Sequence, residues 1–190
     1  MNLPNKISLA RIALIPIFIA LYYLTVIPHN FLYATIVFTI AAFTDFLDGY
    51  IARKYNMVTD LGKFLDPIAD KVLVLTAMIL MLTDVAGGIL PSVVGGIGVV
   101  IILARELIVS SFRMVAASKK VVIAADKLGK IKTVSQDIAL VLLLLSKAFV
   151  GQAFNVIWWV GYALFIFSVV MTLVSGVNYI LKNKAVFAEN

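Results

Sequence analysis

The sequence has 190 residues, of which 63% are hydrophobic and only 14% are charged, and it contains no cysteine. A soluble domain carries roughly 25% charged residues, so the composition excludes an ordinary soluble protein and predicts one integral membrane domain over residues 1–190. The absence of cysteine excludes disulfides, thiolate metal sites and a cysteine nucleophile. The net charge of +6 is better explained by basic loops facing anionic lipid than by nucleic acid, which we do not expect as a partner.

Six apolar stretches, each long enough to cross about 30 Å of hydrocarbon, follow one another along the chain. Their approximate ranges are 9–28, 31–53, 61–83, 88–116, 130–150 and 154–181. Each stretch predicts a helix, and together they predict an all-α integral membrane protein, a bundle of six transmembrane helices. A short amphipathic segment, about residues 1–8, leads into the first helix.

Basic residues are concentrated in alternate links between these stretches. They occupy the N-terminus, the second and fourth links and the C-terminus: Lys6, Arg11, Arg53, Lys54, Lys63, Lys119, Lys120, Lys127, Lys130, Lys132, Lys182 and Lys184. Because cytoplasmic loops carry the excess of lysine and arginine, we predict that both termini are cytoplasmic. An even number of spans agrees with this orientation.

Four of the ten acidic residues lie inside two apolar stretches, where a charge is costly: Asp45, Asp48, Asp66 and Asp70. Within each helix the spacing of three or four residues places the pair on one face. The link between the two helices is short, so they are antiparallel neighbours and both faces reach the same end of the bundle. The sequence therefore predicts a polar cavity, open to the cytoplasm, in which four carboxylates converge.

Such a cluster needs protonation or bound cations to offset its repulsion. Oxygen ligands favour hard ions such as Mg²⁺, Mn²⁺ or Ca²⁺, and two metals about 3.5–4 Å apart would suit four carboxylates and a phosphate substrate. Gly49, Ala52 and Gly62 remove bulk from the same faces. Close packing of the two helices explains these small residues equally well.

The pattern Asp45-x2-Asp48-Gly49-x2-Ala52-Arg53-x8-Gly62-x3-Asp66-x3-Asp70 resembles the signature of the CDP-alcohol phosphotransferases. The resemblance implies transfer of a substituted phosphate from a CDP-linked donor to an alcohol, with release of CMP. It implies that the four aspartates hold two divalent cations, Mg²⁺ or Mn²⁺, and that Asp70 is also the general base. The residues predicted to bind the donor, CDP-diacylglycerol, are Asn5, Ser8, Gly49, Ala52, Arg53, Thr59 and Gly62. Helix capping is an alternative role for Asn5 and Ser8.

Three further stretches, LPNKISLAR (3–11), LARELIVSSFR (103–113) and KLGKIKT (127–133), resemble the phosphatidylglycerophosphate synthases of that family. This resemblance implies sn-glycerol 3-phosphate as the acceptor. Its phosphate needs cations, and the candidates are Arg105, Arg113, Lys130 and Lys132. Anchoring at the cytoplasmic surface explains the two lysines equally well, whereas arginines inside an apolar helix usually face the bundle interior. Inositol phosphate and phosphatidylglycerol remain alternative acceptors.

Two other carboxylates lie in apolar helices, and Glu106 is expected to pair with one of the arginines. Asp137 is expected to pair with a buried cation that the sequence does not identify. The family resemblance also implies a homodimer in the bacterial inner membrane, in contact with membrane lipids. The alternative outside enzymology is a divalent-cation or proton transporter. A transporter would place acids near the midplane with access from both sides, whereas the four aspartates are predicted near one face.

Overall fold

A computed structural model of the chain describes the backbone of residues 3–54, 60–83, 89–119, 123 and 126–183. Side chains are described for these residues except 3–5, 45–54, 60–67, 92, 117 and 118.

The described residues form six helices and no strand, which confirms the predicted all-α, six-helix architecture. The helices are α1 (Leu3–Tyr23), α2 (Asn30–Lys54), α3 (Asp60–Leu82), α4 (Ser92–Ser118), α5 (Lys127–Ser146) and α6 (Gly151–Lys182). The predicted N-terminal segment is continuous with α1, since that helix begins at Leu3.

The helices pack as an antiparallel bundle in which α3 and α6 hold the other elements together. Helix α3 packs against α1, α2, α4 and α5, while α6 packs against α5 and α4. Within the described residues, α4 and α5 do not pack closely against each other. We call the end that holds the N-termini of α1, α3 and α5 the motif end, and the opposite end the far end.

Three helices are long and apolar enough to cross a membrane by length and composition: Lys6–Tyr23, Val93–Ala116 and Gly151–Lys182. The described part of α2 adds a shorter apolar helix, Asn30–Thr44. Large apolar side chains cover the outer surface, among them Val100 at 65% and Leu107 at 57% exposure. A soluble monomer rarely exposes so much contiguous apolar surface, so the chain is a multi-pass membrane protein. Its direction across the membrane stays a prediction.

Small residues line the face of α6 that packs against α5 and α4, at Gly161, Ser168, Thr172, Ser175 and Gly176. They let neighbouring backbones approach closely, as is common between helices in membranes. The three hydroxyls are buried, and each donates a hydrogen bond to a carbonyl three or four residues earlier in α6. These bonds satisfy polar groups that would otherwise be costly in an apolar environment.

Aromatic and polar side chains join the helices at the far end. The hydroxyl of Tyr22 donates to the carbonyl of Leu80 at 2.8 Å, and the Trp158 indole donates to the carbonyl of Ile89 at 2.8 Å. The Asn30 amide donates to the carbonyls of Leu21 and Tyr22 at 3.1 and 3.3 Å, so the first residue of α2 caps the end of α1. The far end is thus fixed by bonds between elements distant in sequence.

Gly98 marks a tight contact between α4 and α6. A Cβ atom at this position would lie 2.9 Å from two ring carbons of Phe165 and 3.0 Å from Val169 Cγ2, whereas a Cβ at Gly96 would meet nothing within 4 Å. We therefore expect Gly98→Leu to lower the free energy of unfolding by about 1–3 kcal/mol through overpacking, with little effect from Gly96→Leu. Thermal unfolding of both variants in detergent measures the difference, and equal melting temperatures would contradict this packing.

Candidate active site

A polar cavity opens between α3, α4 and α5, in the gap where α4 and α5 do not pack together. Its polar wall consists of Asp70 and Lys71 from α3, Glu106 from α4, and Lys132, Thr133, Gln136 and Asp137 from α5. Apolar side chains including Val74, Met78 and Ile102 complete the lining. The charges of the wall lie near the middle of α3 and α4 and in the first half of α5, and the half of α3 beyond them is apolar.

Glu106 bridges the gap between α4 and α5. Its Oε1 atom accepts a hydrogen bond from Lys132 Nζ at 2.9 Å and another from Arg105 Nη1 at 3.0 Å. The Lys132 side chain is only 3% exposed, that of Arg105 is 13% exposed and that of Glu106 is 24% exposed. The expected pairing of Glu106 with an arginine is confirmed, and a lysine joins it.

Lys71 brings a third cation to the same region. Its ammonium group donates a hydrogen bond to the Ser110 hydroxyl of α4, one helical turn beyond Glu106. Three cations therefore lie around Glu106, and two of them, Arg105 and Lys132, contact it directly. The carboxylates of Asp70 and Asp137 belong to residues of the same cavity wall. The ammonium groups of Lys71 and Lys132 are the cations of the cavity wall that could bind a phosphate-bearing ligand.

The backbone places the acidic motif on two packed helices, in their halves nearest the motif end. Asp45 and Asp48 lie in the last turns of α2, Asp66 and Asp70 lie in the first turns of α3, and these two helices pack together. Asp70 is the one member whose side chain is described, and it lines the cavity. The side chains of Asp45, Asp48 and Asp66 lie outside the described set, and among the described residues no three acidic or histidine groups converge.

Most of the predicted donor-binding residues also lie outside the described side chains: Asn5, Gly49, Ala52, Arg53, Thr59 and Gly62. Ser8 is described, and it is fully buried on α1. Arg11 lies one turn further on the same helix, is fully buried, and donates from Nε to the Thr44 hydroxyl at 3.4 Å. Thr44 directly precedes Asp45, so α1 contacts α2 where the acidic motif begins.

The four predicted acceptor cations occupy different environments. Lys132 lines the cavity, and Arg105 shares Glu106 with it. Arg113 lies two turns beyond Arg105, where its Nε donates to the Tyr179 hydroxyl of α6 at 3.2 Å and its guanidinium lies 5.7 Å from that ring. Lys130 is exposed at the start of α5. The structure thus brings one of the four, Lys132, to the cavity wall, while Arg105 reaches Glu106 from the side of α4 that faces α6.

Sequence reasoning did not single out Lys71, Arg11 or Gln136 as site residues. Each is a polar residue in an apolar helix, and such residues usually face the bundle interior, so a signal was available. Lys71 lies beside Asp70 but is not part of the acidic motif, and Arg11 was grouped with the basic residues that orient the chain in the membrane. Gln136 lies one turn after Lys132, a spacing that places both on the same face of α5.

Comparison with known proteins gives a consistent picture. A family model described as CDP-alcohol phosphatidyltransferase matches residues 1–175. The chain is 43% identical to a CDP-diacylglycerol–glycerol-3-phosphate 3-phosphatidyltransferase of Bacillus subtilis (strain 168), with 96% of this chain and 95% of that protein covered. Proteins of the same name from Rickettsia bellii (39% identical, 98% and 97% covered) and Shigella flexneri serotype 5b (37%, 97% and 96%) are similar over nearly their whole length.

Lys130 and Lys132 form a matched pair for testing the charged bridge, because one is exposed and the other is buried against Glu106. Lys132→Met should lower the free energy of unfolding by roughly 1–3 kcal/mol, since it removes a charged hydrogen bond from a largely buried carboxylate that keeps Arg105. Lys130→Met should change little. Melting temperatures in detergent at neutral pH provide the measurement, and equal effects of the two substitutions would argue against the bridge.

Proposed function

The chain belongs to the CDP-alcohol phosphatidyltransferase family, and on that premise we propose that it makes phosphatidylglycerophosphate. It would transfer the phosphatidyl group of CDP-diacylglycerol to the 1-hydroxyl of sn-glycerol 3-phosphate and release CMP. The observation that carries this proposal is the near full-length similarity to proteins named for this reaction. The cavity that joins Asp70 with the Glu106–Lys132 bridge supports it chemically.

Asp70 is our candidate for the general base. The cavity position of this carboxylate allows it to take the proton from the 1-hydroxyl of the acceptor. The hydroxyl oxygen then attacks the β-phosphorus of CDP-diacylglycerol, forming one P–O bond while the P–O bond to CMP breaks. The electron pair leaves with CMP, so no covalent intermediate with the protein and no redox partner are needed.

The acceptor phosphate would be held by the cations around Glu106. Arg105 and Lys132 would provide the inner contacts, because both already lie within hydrogen-bonding distance of Glu106. Arg113 and Lys130, on the same two helices toward the motif end, would provide outer contacts. Guanidinium and ammonium groups in a partly buried site bind phosphate strongly, since charge-assisted hydrogen bonds are roughly twice as strong as neutral ones.

Two divalent cations, Mg²⁺ or Mn²⁺, fit the chemistry of the motif, and the family generally depends on divalent cations. Asp45, Asp48, Asp66 and Asp70 would hold them, as their backbone positions on two packed helices allow. When bound, the cations would neutralise the diphosphate and stabilise the CMP leaving group. Asn5, Ser8, Gly49, Ala52, Arg53, Thr59 and Gly62 remain the proposed contacts of CDP-diacylglycerol.

We further propose that the protein lies in the bacterial cytoplasmic membrane with the motif end toward the cytoplasm, and that it forms a homodimer. The concentration of basic residues at this end supports the orientation. CDP-diacylglycerol would then reach the cavity from the inner leaflet with its acyl chains in lipid. The transporter alternative is weaker, because Asp45, Asp48 and Asp66 lie on the halves of α2 and α3 nearest the motif end.

An acceptor panel tests this function directly. Purified protein with CDP-diacylglycerol and Mg²⁺ should release CMP with sn-glycerol 3-phosphate and form phosphatidylglycerophosphate, but should do neither with inositol phosphate or phosphatidylglycerol. Excess chelator should stop CMP release, and added Mg²⁺ or Mn²⁺ should restore it. A preference for another acceptor would overturn the proposed substrate, and full turnover in chelator would overturn the role of the cations.

Asp70→Asn tests the proposed base. The amide cannot accept the proton, so CMP release should fall by about 10²–10⁴-fold even when Mg²⁺ and CDP-diacylglycerol are raised to compensate for weaker binding of the cations. Asp126→Asn is a suitable control, because Asp126 lies outside the cavity wall and pairs with Asn178 and the exposed Lys182. Its turnover should stay close to wild type, and turnover of the Asp70 variant at that level would exclude Asp70 as the base.

A further inference from the structure

Gln136 is the most deeply buried polar side chain of the cavity wall whose hydrogen-bonding capacity is incomplete. The residue is 2% exposed, and its Oε1 atom has no hydrogen-bond partner among the described residues. Buried amide oxygens are nearly always hydrogen-bonded, because removing them from water without a partner is costly. Because Gln136 lines a ligand cavity, this unsatisfied oxygen points to a donor supplied by the ligand.

The position of Gln136 indicates which part of a ligand it would meet. It follows Lys132 by four residues, so it lies on the same face of α5 and about 6 Å further along the helix from the motif end. Lys132 is the cation on this face of α5, Glu106 joins it to Arg105, and Asp70 lines the same cavity from α3. Gln136 thus shares a cavity with an anion-binding group and with a candidate base.

The missing partner must be a hydrogen-bond donor, because a carboxamide oxygen only accepts. In sn-glycerol 3-phosphate the phosphate occupies the cations and the 1-hydroxyl donates its proton to Asp70. The 2-hydroxyl is the donor that remains. We propose that Gln136 determines acceptor specificity by accepting a hydrogen bond from this 2-hydroxyl, an inference that rests on the proposed function and extends it.

The proposal gives Gln136 a selective role rather than a general one. A site built to hydrogen-bond a hydroxyl discriminates against an analogue that lacks it, because the buried polar group is then left unsatisfied. A simple packing role would instead affect every acceptor equally. The two roles therefore differ in the ratio of two rates, and this ratio does not depend on the amount of folded enzyme.

The test compares sn-glycerol 3-phosphate with 3-hydroxypropyl phosphate, which has the same phosphate and primary hydroxyl but no 2-hydroxyl. For the wild type, kcat/KM should favour sn-glycerol 3-phosphate by about tenfold, the effect of one hydrogen bond. Gln136→Met, which keeps the length of the side chain and removes the amide, should reduce this preference to near unity through loss on sn-glycerol 3-phosphate alone. The KM for CDP-diacylglycerol should be unchanged.

Gln152→Met is the matched control, because Gln152 is exposed at the start of α6, and the variant should keep the wild-type preference. Equal use of both acceptors by the wild type would overturn the inference without any variant, as would an equal loss on both acceptors in Gln136→Met. Either result leaves CMP release from sn-glycerol 3-phosphate by the wild type intact, so the proposed function stands. Absence of CMP release with both acceptors in the wild type would instead overturn the function and this inference together.

Discussion

The bridge between Glu106 and Lys132 is the interaction on which the shape of the polar half of the molecule depends. Helices α4 and α5 each pack against α3 and α6, but in the described residues they do not pack closely against each other. In a purely apolar bundle, an unfilled space between these two helices would lower stability, because the side chains that line it would lose packing contacts. A carboxylate on one side, a buried lysine on the other and Arg105 beside them make the space a defined cavity.

The Glu106–Lys132 bridge contributes both to the stability of the fold and to the proposed binding of phosphate. A buried charge needs a partner, since an unpaired ion in a low-dielectric interior costs several kcal/mol. Glu106 meets that need for Lys132 in the absence of substrate and leaves the remaining hydrogen-bonding capacity of the ammonium group for a phosphate. The ligand site is therefore held in a charged, ordered form by contacts within the protein itself, which reduces the cost of organising it on binding.

Much of the fold could be predicted from the sequence, because membrane helices are defined by long apolar stretches and by polar links. The largest differences are in three helices. Helix α1 begins and ends earlier than its predicted stretch, at Leu3 and Tyr23, α4 begins later, at Ser92, and α5 ends earlier, at Ser146. The pairing of Glu106 with an arginine was also predictable, since an isolated carboxylate in an apolar helix needs a cation.

The partners of individual site residues were less predictable, because helical periodicity identifies a face but not the helix that covers it. The sequence allowed Lys132 to be a surface anchor, but in the structure it is buried against Glu106 of α4. The sequence also grouped Arg113 with Arg105, but in the structure Arg113 contacts Tyr179 of α6. The burial of Arg11 beside Thr44 depends in the same way on how α1 meets α2. These contacts join residues 26 to 66 positions apart, beyond the reach of local pattern.

The bonds at the far end bear on electrical insulation. Moving one elementary charge through 100 mV is worth about 2.3 kcal/mol, so a protein that admits water and ions to one half of its interior must not offer them a continuous route. At the far end, hydrogen bonds to backbone carbonyls of neighbouring elements are donated by the side chains of Tyr22, Asn30 and Trp158. Buried apolar side chains such as Ile89 and Leu90 surround them. The described far end is therefore apolar and cross-linked, which opposes a continuous path for ions between the charged cavity and the other side of the membrane.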